Sequence, residues 1–220
     1  MADQPHFELF AFWRTSAGYR VRVALNLKGI EAHERIVNVD AGEHRSEAFL
    51  KINPLAAIPA LVEEGFPPLT QSLAILEFLD ETAPQPPLLP SDARGRARVR
   101  SIAAMLASDT HPLITPRIKR YLTEQGFDDA AWRAWQIQWF STGLRAVERR
   151  LASDSQTGTF CHGDAVTTAD IVLMSILAVM RVFKIEVSDI PTITRIAARC
   201  EVIEAFAKAD PMKQDGAPQG

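Results

Sequence analysis

The sequence has few of the features that mark a secreted, membrane-spanning or metal-binding protein. Among its 220 residues only two are cysteines, Cys161 and Cys200, and they form neither a disulfide framework nor a metal-ligand pattern. The most apolar stretch, residues 171–180, is about half the roughly 20 residues needed to cross a bilayer. No basic segment followed by an apolar core opens the chain, so we expect no secretory signal and a cytoplasmic location.

The charge balance argues against a nucleic-acid partner. The 24 Lys and Arg residues are outnumbered by 27 Asp and Glu residues, which gives a formal net charge of -3. Binding to phosphates along a nucleic acid usually requires a basic field, which this composition does not supply. Since 47% hydrophobic and 23% charged residues are ordinary for a soluble globular protein, the partner that we expect is a small molecule.

Strand and helix patterns alternate in the first part of the chain. Apolar and aromatic residues predict a strand over 7–13, and a helical pattern follows over 16–28. A second strand is predicted over 34–39 and a hairpin over 58–69, before another helix over 71–83. This order of elements predicts a small mixed α/β sheet layered with helices.

A proline-rich segment separates this part from the rest of the chain. Residues 83–91 contain four prolines, which disfavour both a helix and a central strand. Every segment beyond it has helical periodicity. We therefore predict an α/β domain over 1–84, a stiff linker over 85–91 and an all-helical domain over 92–220.

The most informative local feature is the loop Trp13-Arg14-Thr15-Ser16-Ala17-Gly18, at the junction of the first strand and the first helix. The first N–H groups of a helix lack internal partners, and the helix dipole favours negative charge there. The loop adds two hydroxyls and an arginine, and it has no cysteine. This combination predicts an anion-binding site that uses no thiol of the protein.

Several motifs together resemble the zeta class of soluble glutathione transferases, the maleylacetoacetate isomerases. They are residues 12–29, Asn53-Pro54 with 58–61, 71–75, Gly163-Asp164 with 167–170, and 181–184 with 191–193. That family usually has a cysteine where this chain has Ala17. The bacterial maleylpyruvate isomerases, a close branch, also lack it and share residues that match His111-Pro112 and Arg117. The resemblance implies a thioredoxin-like α/β N-terminal domain, an all-α C-terminal domain, glutathione as cofactor and a homodimer.

The resemblance also implies which residues hold glutathione. Thr15 is the first choice for the hydroxyl that stabilises the glutathione thiolate and Ser16 is the alternative, although helix capping would explain either residue. The residues that match the family's glutathione contacts, with Pro59 expected to be cis, are His44, Ile58, Pro59, Gln71, Ser72 and His111. A helix N-cap at Ser72, a trans Pro59 and surface histidines are the structural alternatives.

The expected substrate carries carboxylates, which three arginines match. Arg14, Arg117 and Arg181 correspond to substrate-binding arginines, because guanidinium forks pair well with carboxylates, although each could be a solvated surface charge. The implied function is glutathione-dependent cis–trans isomerisation of maleylacetoacetate or maleylpyruvate, in tyrosine or aromatic compound degradation. A transferase or dehalogenase for small α-halo acids and a non-catalytic glutathione-binding protein are the alternatives. Ala17 speaks against a reductive dehalogenase, which needs a protein thiol.

Overall fold

The structure, a computed structural model, describes residues 7–218. They divide into two compact units, one formed by residues 7–88 together with 202–218 and the other by residues 89–201. The boundary at Leu88 falls inside the segment predicted to be a linker. The segment from Val202 onwards was assigned from sequence to the helical domain over 92–220, whereas the structure groups it with the first unit.

The elements of the chain alternate first and then become helical. The strands are β1 (Phe7–Ala11), β2 (Ala32–Ile36), β3 (Ala60–Glu63) and β4 (Leu69–Thr70). The helices are α1 (Ser16–Lys28), α2 (Glu47–Leu50), α3 (Ser72–Thr82), α4 (Ala93–Ala107), α5 (Pro116–Glu124), α6 (Asp129–Ala152), α7 (Thr168–Val182), α8 (Pro191–Glu201) and α9 (Glu204–Lys208). None of the helices between residues 7 and 218 combines the length and the apolar character that a membrane crossing requires.

The first unit contains the predicted mixed sheet, with strand order β2-β1-β3-β4. β1 is parallel to β2 and antiparallel to β3, and β3 forms the predicted hairpin with β4. The first two strands end earlier than predicted. After β1 the carbonyl of Phe12 accepts the N–H of Thr15, and after β2 the Asn38 side chain accepts the N–H groups of Asp40 and Ala41. Both turns take the chain away from the sheet.

α1 forms the centre of this unit, since it is buried from Ser16 to Leu25. The guanidinium of Arg22, only 5% exposed, donates to both carboxylate oxygens of Glu34 in β2, at 2.8 Å and 2.5 Å. The Asn26 amide donates to the carbonyl of Ala205 in α9 at 3.0 Å. This last contact explains why the segment from Val202 belongs to the first unit.

The second unit is all-helical, as predicted. Its most apolar helix, α7, begins with a capping box, for which a hydroxyl at Thr167 three residues before the Asp170 carboxylate is the sequence signal: an Asp170 oxygen accepts from the Thr167 N–H and hydroxyl, both at 2.8 Å. The apolar positions Ile193, Ile196, Cys200, Ile203 and Phe206 have the spacing of one continuous helix, but the structure divides it, because α8 ends at Glu201 and α9 begins at Glu204.

A buried arginine holds the loop that precedes α7 against α4. Arg98 donates to Asp154 at 2.7 Å, to the Cys161 carbonyl at 2.6 Å and to the Thr157 hydroxyl at 2.8 Å. The hydrogen bond from Arg98 lowers the pKa of the Asp154 carboxyl below its ordinary value. One side chain of α4 therefore satisfies three polar groups of a single loop.

The substitution Arg98→Met should destabilise the second unit by about 2–4 kcal/mol, because it leaves three polar groups of the loop without their charged donor. The measurement is denaturant unfolding, with Arg94→Met as the control on an exposed position of the same helix. Equal unfolding free energies for the two variants would show that Arg98 does not have this role.

Candidate active site

The predicted glutathione-binding segments of the first unit meet at one edge of the sheet. Ala11 pairs with Ile36, Phe10 pairs with Ala60, and Ala60 pairs in turn with Thr70. The ends of β1, β2 and β4 and the start of β3 therefore lie side by side, and ligands of such sheets bind beyond the carboxyl ends of parallel strands. The segments that emerge there carry Arg14, Thr15, Ser16, His44, Ile58, Pro59, Gln71 and Ser72.

The two hydroxyls at the start of α1 differ in their hydrogen bonds. Thr15 occupies the N-cap position, but its hydroxyl donates to the Phe12 carbonyl at 3.0 Å and caps no N–H of the helix. Ser16 is 2% exposed, and its hydroxyl has no hydrogen-bond partner among residues 7–218. A buried hydroxyl left in this way costs about 1–3 kcal/mol. The Ser16 hydroxyl is thus fully buried and has no partner within the described residues, whereas the partly exposed Thr15 uses its hydroxyl inside the loop.

Gly18 gives the Thr15 side chain the space that it occupies. A Cβ at this position would lie 2.7 Å from the Thr15 hydroxyl oxygen and 3.3 Å from the Ala11 Cβ. Ala17, where the zeta pattern usually has a cysteine, is buried beside it. The loop is therefore packed closely around Thr15, and it holds the Ser16 hydroxyl at the first turn of the helix.

The start of α3 is the second place at this edge where a helix begins without a side-chain cap in the described structure. Gln71 has φ 68° and ψ 110°, a conformation that costs a non-glycine residue about 1–3 kcal/mol. Ser72 is the first residue of the helix, so the alternative in which it acts only as the N-cap is wrong. Its hydroxyl and the N–H groups of the first turn suit a carboxylate.

Two further predicted positions lie on the loops between these helices. The Ile58–Pro59 peptide bond is cis, so the trans alternative is wrong. His44 is half-buried in a 3₁₀ turn over Glu43–Arg45, which follows β2. The alternative of a surface histidine stays open for His44.

Arg14 contacts its own unit. Its guanidinium forms an ion pair with Asp40, which sequence analysis did not identify, and lies 5.5 Å from the ring centre of Phe12 and 5.9 Å from that of Trp13. These contacts connect the loop after β1 with the loop after β2. A substrate carboxylate at Arg14 would have to share the guanidinium with Asp40.

The other predicted residues belong to the second unit. His111 begins a 3₁₀ turn over His111–Ile114, and Arg117 is exposed in the first turn of α5. Arg181, in the last turn of α7, donates to Glu201 of α8 at 2.9 Å. Arg181 and Glu201 line a cleft of about 430 Å³ whose other walls are mostly apolar. Glu201 was not among the residues predicted from the sequence.

Arg20 is a further charged residue that the sequence analysis did not identify. It is 2% exposed on α1, one helical turn after Ser16, and its guanidinium donates to the Ser72 hydroxyl at 3.2 Å. Burial lowers the pKa of Arg20 to about 9, so the guanidinium is still charged at pH 7. The signal in the sequence that could have identified Arg20 is that it is a charged residue in a predicted helix of mostly apolar residues.

This chain is similar in sequence to known proteins over nearly its whole length. Residues 5–81 match the family model described as the N-terminal domain of glutathione S-transferase. The maleylpyruvate isomerase of Ralstonia sp. is 40% identical over 208 residues, which cover 94% of this chain and 98% of that protein.

Two solved structures are similar over nearly their full length. Maleylacetoacetate isomerase from Methylobacterium extorquens AM1, with bound malonate and GSH, is 44% identical with a TM-score of 0.94, covering 96% of this chain and 100% of that one. The holo structure of maleyl pyruvate isomerase, a bacterial glutathione S-transferase in the zeta class, is 39% identical with a TM-score of 0.92 and the same coverage. These similarities confirm the glutathione transferase architecture.

Removal of the two hydroxyls should affect the free energy of unfolding differently. Thr15→Val should lower the free energy of unfolding by about 1 kcal/mol, because it removes the hydrogen bond to the Phe12 carbonyl. Ser16→Ala should leave it unchanged or raise it, because it removes a buried hydroxyl that has no partner. Denaturant unfolding of both variants without added ligand tests this. A loss at Ser16 as large as that at Thr15 would mean that the protein itself satisfies Ser16.

Proposed function

The chain belongs to the zeta-class glutathione transferases, the family of the maleylacetoacetate and maleylpyruvate isomerases, and from that premise we propose that it is a glutathione-dependent cis–trans isomerase of a maleyl-type diketo acid. Glutathione is its cofactor. The observation that carries the proposal is the buried Ser16 hydroxyl, without a partner among the described residues, at an uncapped helix start. Such a group fits the sulfur of glutathione.

The other residues at this sheet edge fit the rest of the glutathione molecule. The start of α3, with Gln71 and Ser72, offers N–H groups and a hydroxyl to the γ-glutamyl carboxylate. The backbone of Ile58, next to Pro59, is assigned to the cysteinyl peptide unit, and His44 to the glycine end. By the resemblance alone, His111 stays a further candidate for a glutathione contact.

The chemistry needs a thiolate. Bound glutathione supplies a thiolate nucleophile that can add reversibly to a conjugated double bond, which permits rotation about that bond. A free thiol has a pKa of about 8.5, so the protein must favour the ionised form at neutral pH. Ser16 does so by donating a hydrogen bond to the thiolate, and the start of α1 adds the favourable end of the helix dipole.

We assign the thiolate-stabilising role to Ser16 and a supporting role to Thr15. A threonine hydroxyl has one proton, and that of Thr15 is directed to the Phe12 carbonyl. Thr15 therefore fixes the shape of the loop, which Gly18 permits by leaving space for its side chain.

The substrate is assigned to arginines. Malonate, a dicarboxylate, is bound together with GSH in the relative from Methylobacterium extorquens AM1, which supports a substrate with carboxylate groups here. Arg181 offers a guanidinium in a cleft with apolar walls, and Arg14 and Arg117 are the further candidates. The relatives are isomerases, which favours this function over halo-acid dehalogenation or glutathione binding without turnover.

We also propose a homodimer located in the cytoplasm. Two large apolar side chains of the first unit support association, since Leu55 is 51% and Phe66 64% exposed. The low cysteine content agrees with a reducing cytoplasm.

The purified protein should convert maleylpyruvate or maleylacetoacetate to the trans product only when glutathione is present, without consuming it. The measurement follows the absorbance of each substrate with glutathione, with S-methylglutathione as the control that occupies the site without a free thiol. If neither substrate reacts, the proposed function is wrong.

Ser16→Ala should lower kcat by about 10²–10³-fold, as the loss of one preorganised donor typically does, whereas Thr15→Val should cost much less. Ser16→Ala should also raise the pKa of the thiol of bound glutathione by about 1–2, because the thiolate loses a hydrogen bond. The ultraviolet absorbance of the thiolate, titrated against pH in the complex, measures this directly. A larger shift in Thr15→Val than in Ser16→Ala would restore Thr15 as the donor.

A further inference from the structure

We propose that Arg20 is a positioning residue for the γ-glutamyl carboxylate of glutathione and that it acts through the hydroxyl of Ser72. The proposal rests on the proposed function, since it requires glutathione to bind at the start of α3. It gives a role to the buried charge of Arg20, which takes no part in the proposed stabilisation of the thiolate or in the proposed binding of the substrate.

The contact joins two helices that carry different parts of the site. Arg20 lies on α1, and its Nη1 atom donates to Ser72 Oγ on α3 at 3.2 Å across a sequence separation of 52 residues. Both side chains are buried, Arg20 at 2% exposure and Ser72 at 6%. The hydrogen bond therefore connects the helix that begins at Ser16 with the one that begins at Ser72.

The Arg20 guanidinium determines whether the Ser72 hydroxyl donates or accepts in its hydrogen bond to a bound ligand. A guanidinium has donors only, so Ser72 must accept in this contact. A hydroxyl has a single proton, and no acceptor for the Ser72 proton is found in the described part of the chain. A carboxylate has acceptors only. Arg20 thus leaves Ser72 as a donor for the carboxylate and excludes the orientation in which Ser72 would present a lone pair.

The charge of Arg20 adds to this effect. A guanidinium next to the hydroxyl oxygen polarises the O–H bond, and hydrogen bonds assisted by charge are stronger than neutral ones. In a buried environment the attraction between the guanidinium and a bound carboxylate is also screened less than in water. Both effects favour ligands with a carboxylate at the start of α3.

The same helix offers a matched control. Arg22 is also buried on α1, but its guanidinium donates to Glu34 of β2 and, at 3.5 Å, to the Trp13 carbonyl, and no hydrogen bond joins it to Ser72 in the described residues. A substitution of Arg22 removes a buried positive charge from the unit without touching the proposed relay. Any effect that Arg22→Met shares with Arg20→Met is therefore structural.

The experiment measures a carboxylate preference, defined as the Kd for 4-aminobutanoyl-cysteinyl-glycine divided by the Kd for glutathione. The first ligand is glutathione without its γ-glutamyl α-carboxylate. Isothermal titration calorimetry gives both constants for the full-length protein and for Arg20→Met, Ser72→Ala, their combination and Arg22→Met. Thermal unfolding of each variant checks that it is folded.

We expect Arg20→Met and Ser72→Ala each to lower the carboxylate preference about tenfold, through weaker binding of glutathione and not of the analogue. The combined variant should show no further loss, because both substitutions interrupt one relay. Arg22→Met should keep the preference of the unchanged protein. If Arg20→Met does not fold, Arg20→Gln provides the comparison and should lower the preference at least about threefold, since it removes the charge.

The proposal is overturned if the carboxylate preference is unchanged in the folded Arg20 variant, or if that variant loses affinity for both ligands equally. It is also overturned if the effects of the two substitutions on the preference add fully in the combined variant. In these cases the unchanged protein still binds glutathione, so the proposed function stands. If the unchanged protein binds no glutathione, the proposed function fails and this inference fails with it.

Discussion

The pairing of β1 with β3 and of β3 with β4 is the constraint on which the rest of the site depends. Because Phe10, Ala60 and Thr70 lie side by side, the helices that follow β1 and β4 begin at the same edge of the sheet. Both α1 and α3 begin without a side-chain cap in the described residues, so each brings unsatisfied N–H groups and a partial positive charge. One anionic molecule with two negative groups can satisfy both helix ends.

The same edge holds several features that lower the stability of the fold. The Ser16 hydroxyl is buried without a partner in the residues described, Gln71 has a positive φ angle, and Arg20 is a charge with 2% exposure. Each conflicts with the rules that govern an ordinary core. Their concentration at one edge follows the general pattern in which proteins sacrifice stability at functional sites.

Features that depend on local sequence could be predicted, and features that depend on distant contacts could not. The hairpin, the capping box at Thr167 and the strand–helix junction before Ser16 all have signals within a few residues, and the structure contains them. The contact of Arg20 with Ser72 joins residues 52 apart, and that of Asn26 with Ala205 joins residues 179 apart, so neither leaves a periodic signal. The sequence offers Thr15 and Ser16 equally as the donor, because it does not show the turn in which the Phe12 carbonyl accepts a hydrogen bond from the Thr15 hydroxyl, the contact from which we propose Ser16.

The two thiols of the protein agree with a chemistry that takes its sulfur from a cofactor. Cys161 and Cys200 are fully buried in the second unit, and desolvation by burial raises the pKa of both thiols. A thiol in that condition is a poor nucleophile, because the thiolate is the reactive form. With Ala17 at the position where the zeta pattern usually has a cysteine, the start of α1 offers a hydrogen-bond donor and a helix dipole, but no reactive atom of its own. An isomerase that returns its cofactor unchanged needs nothing more from the protein at this point than a stabilised thiolate and carboxylates held in place.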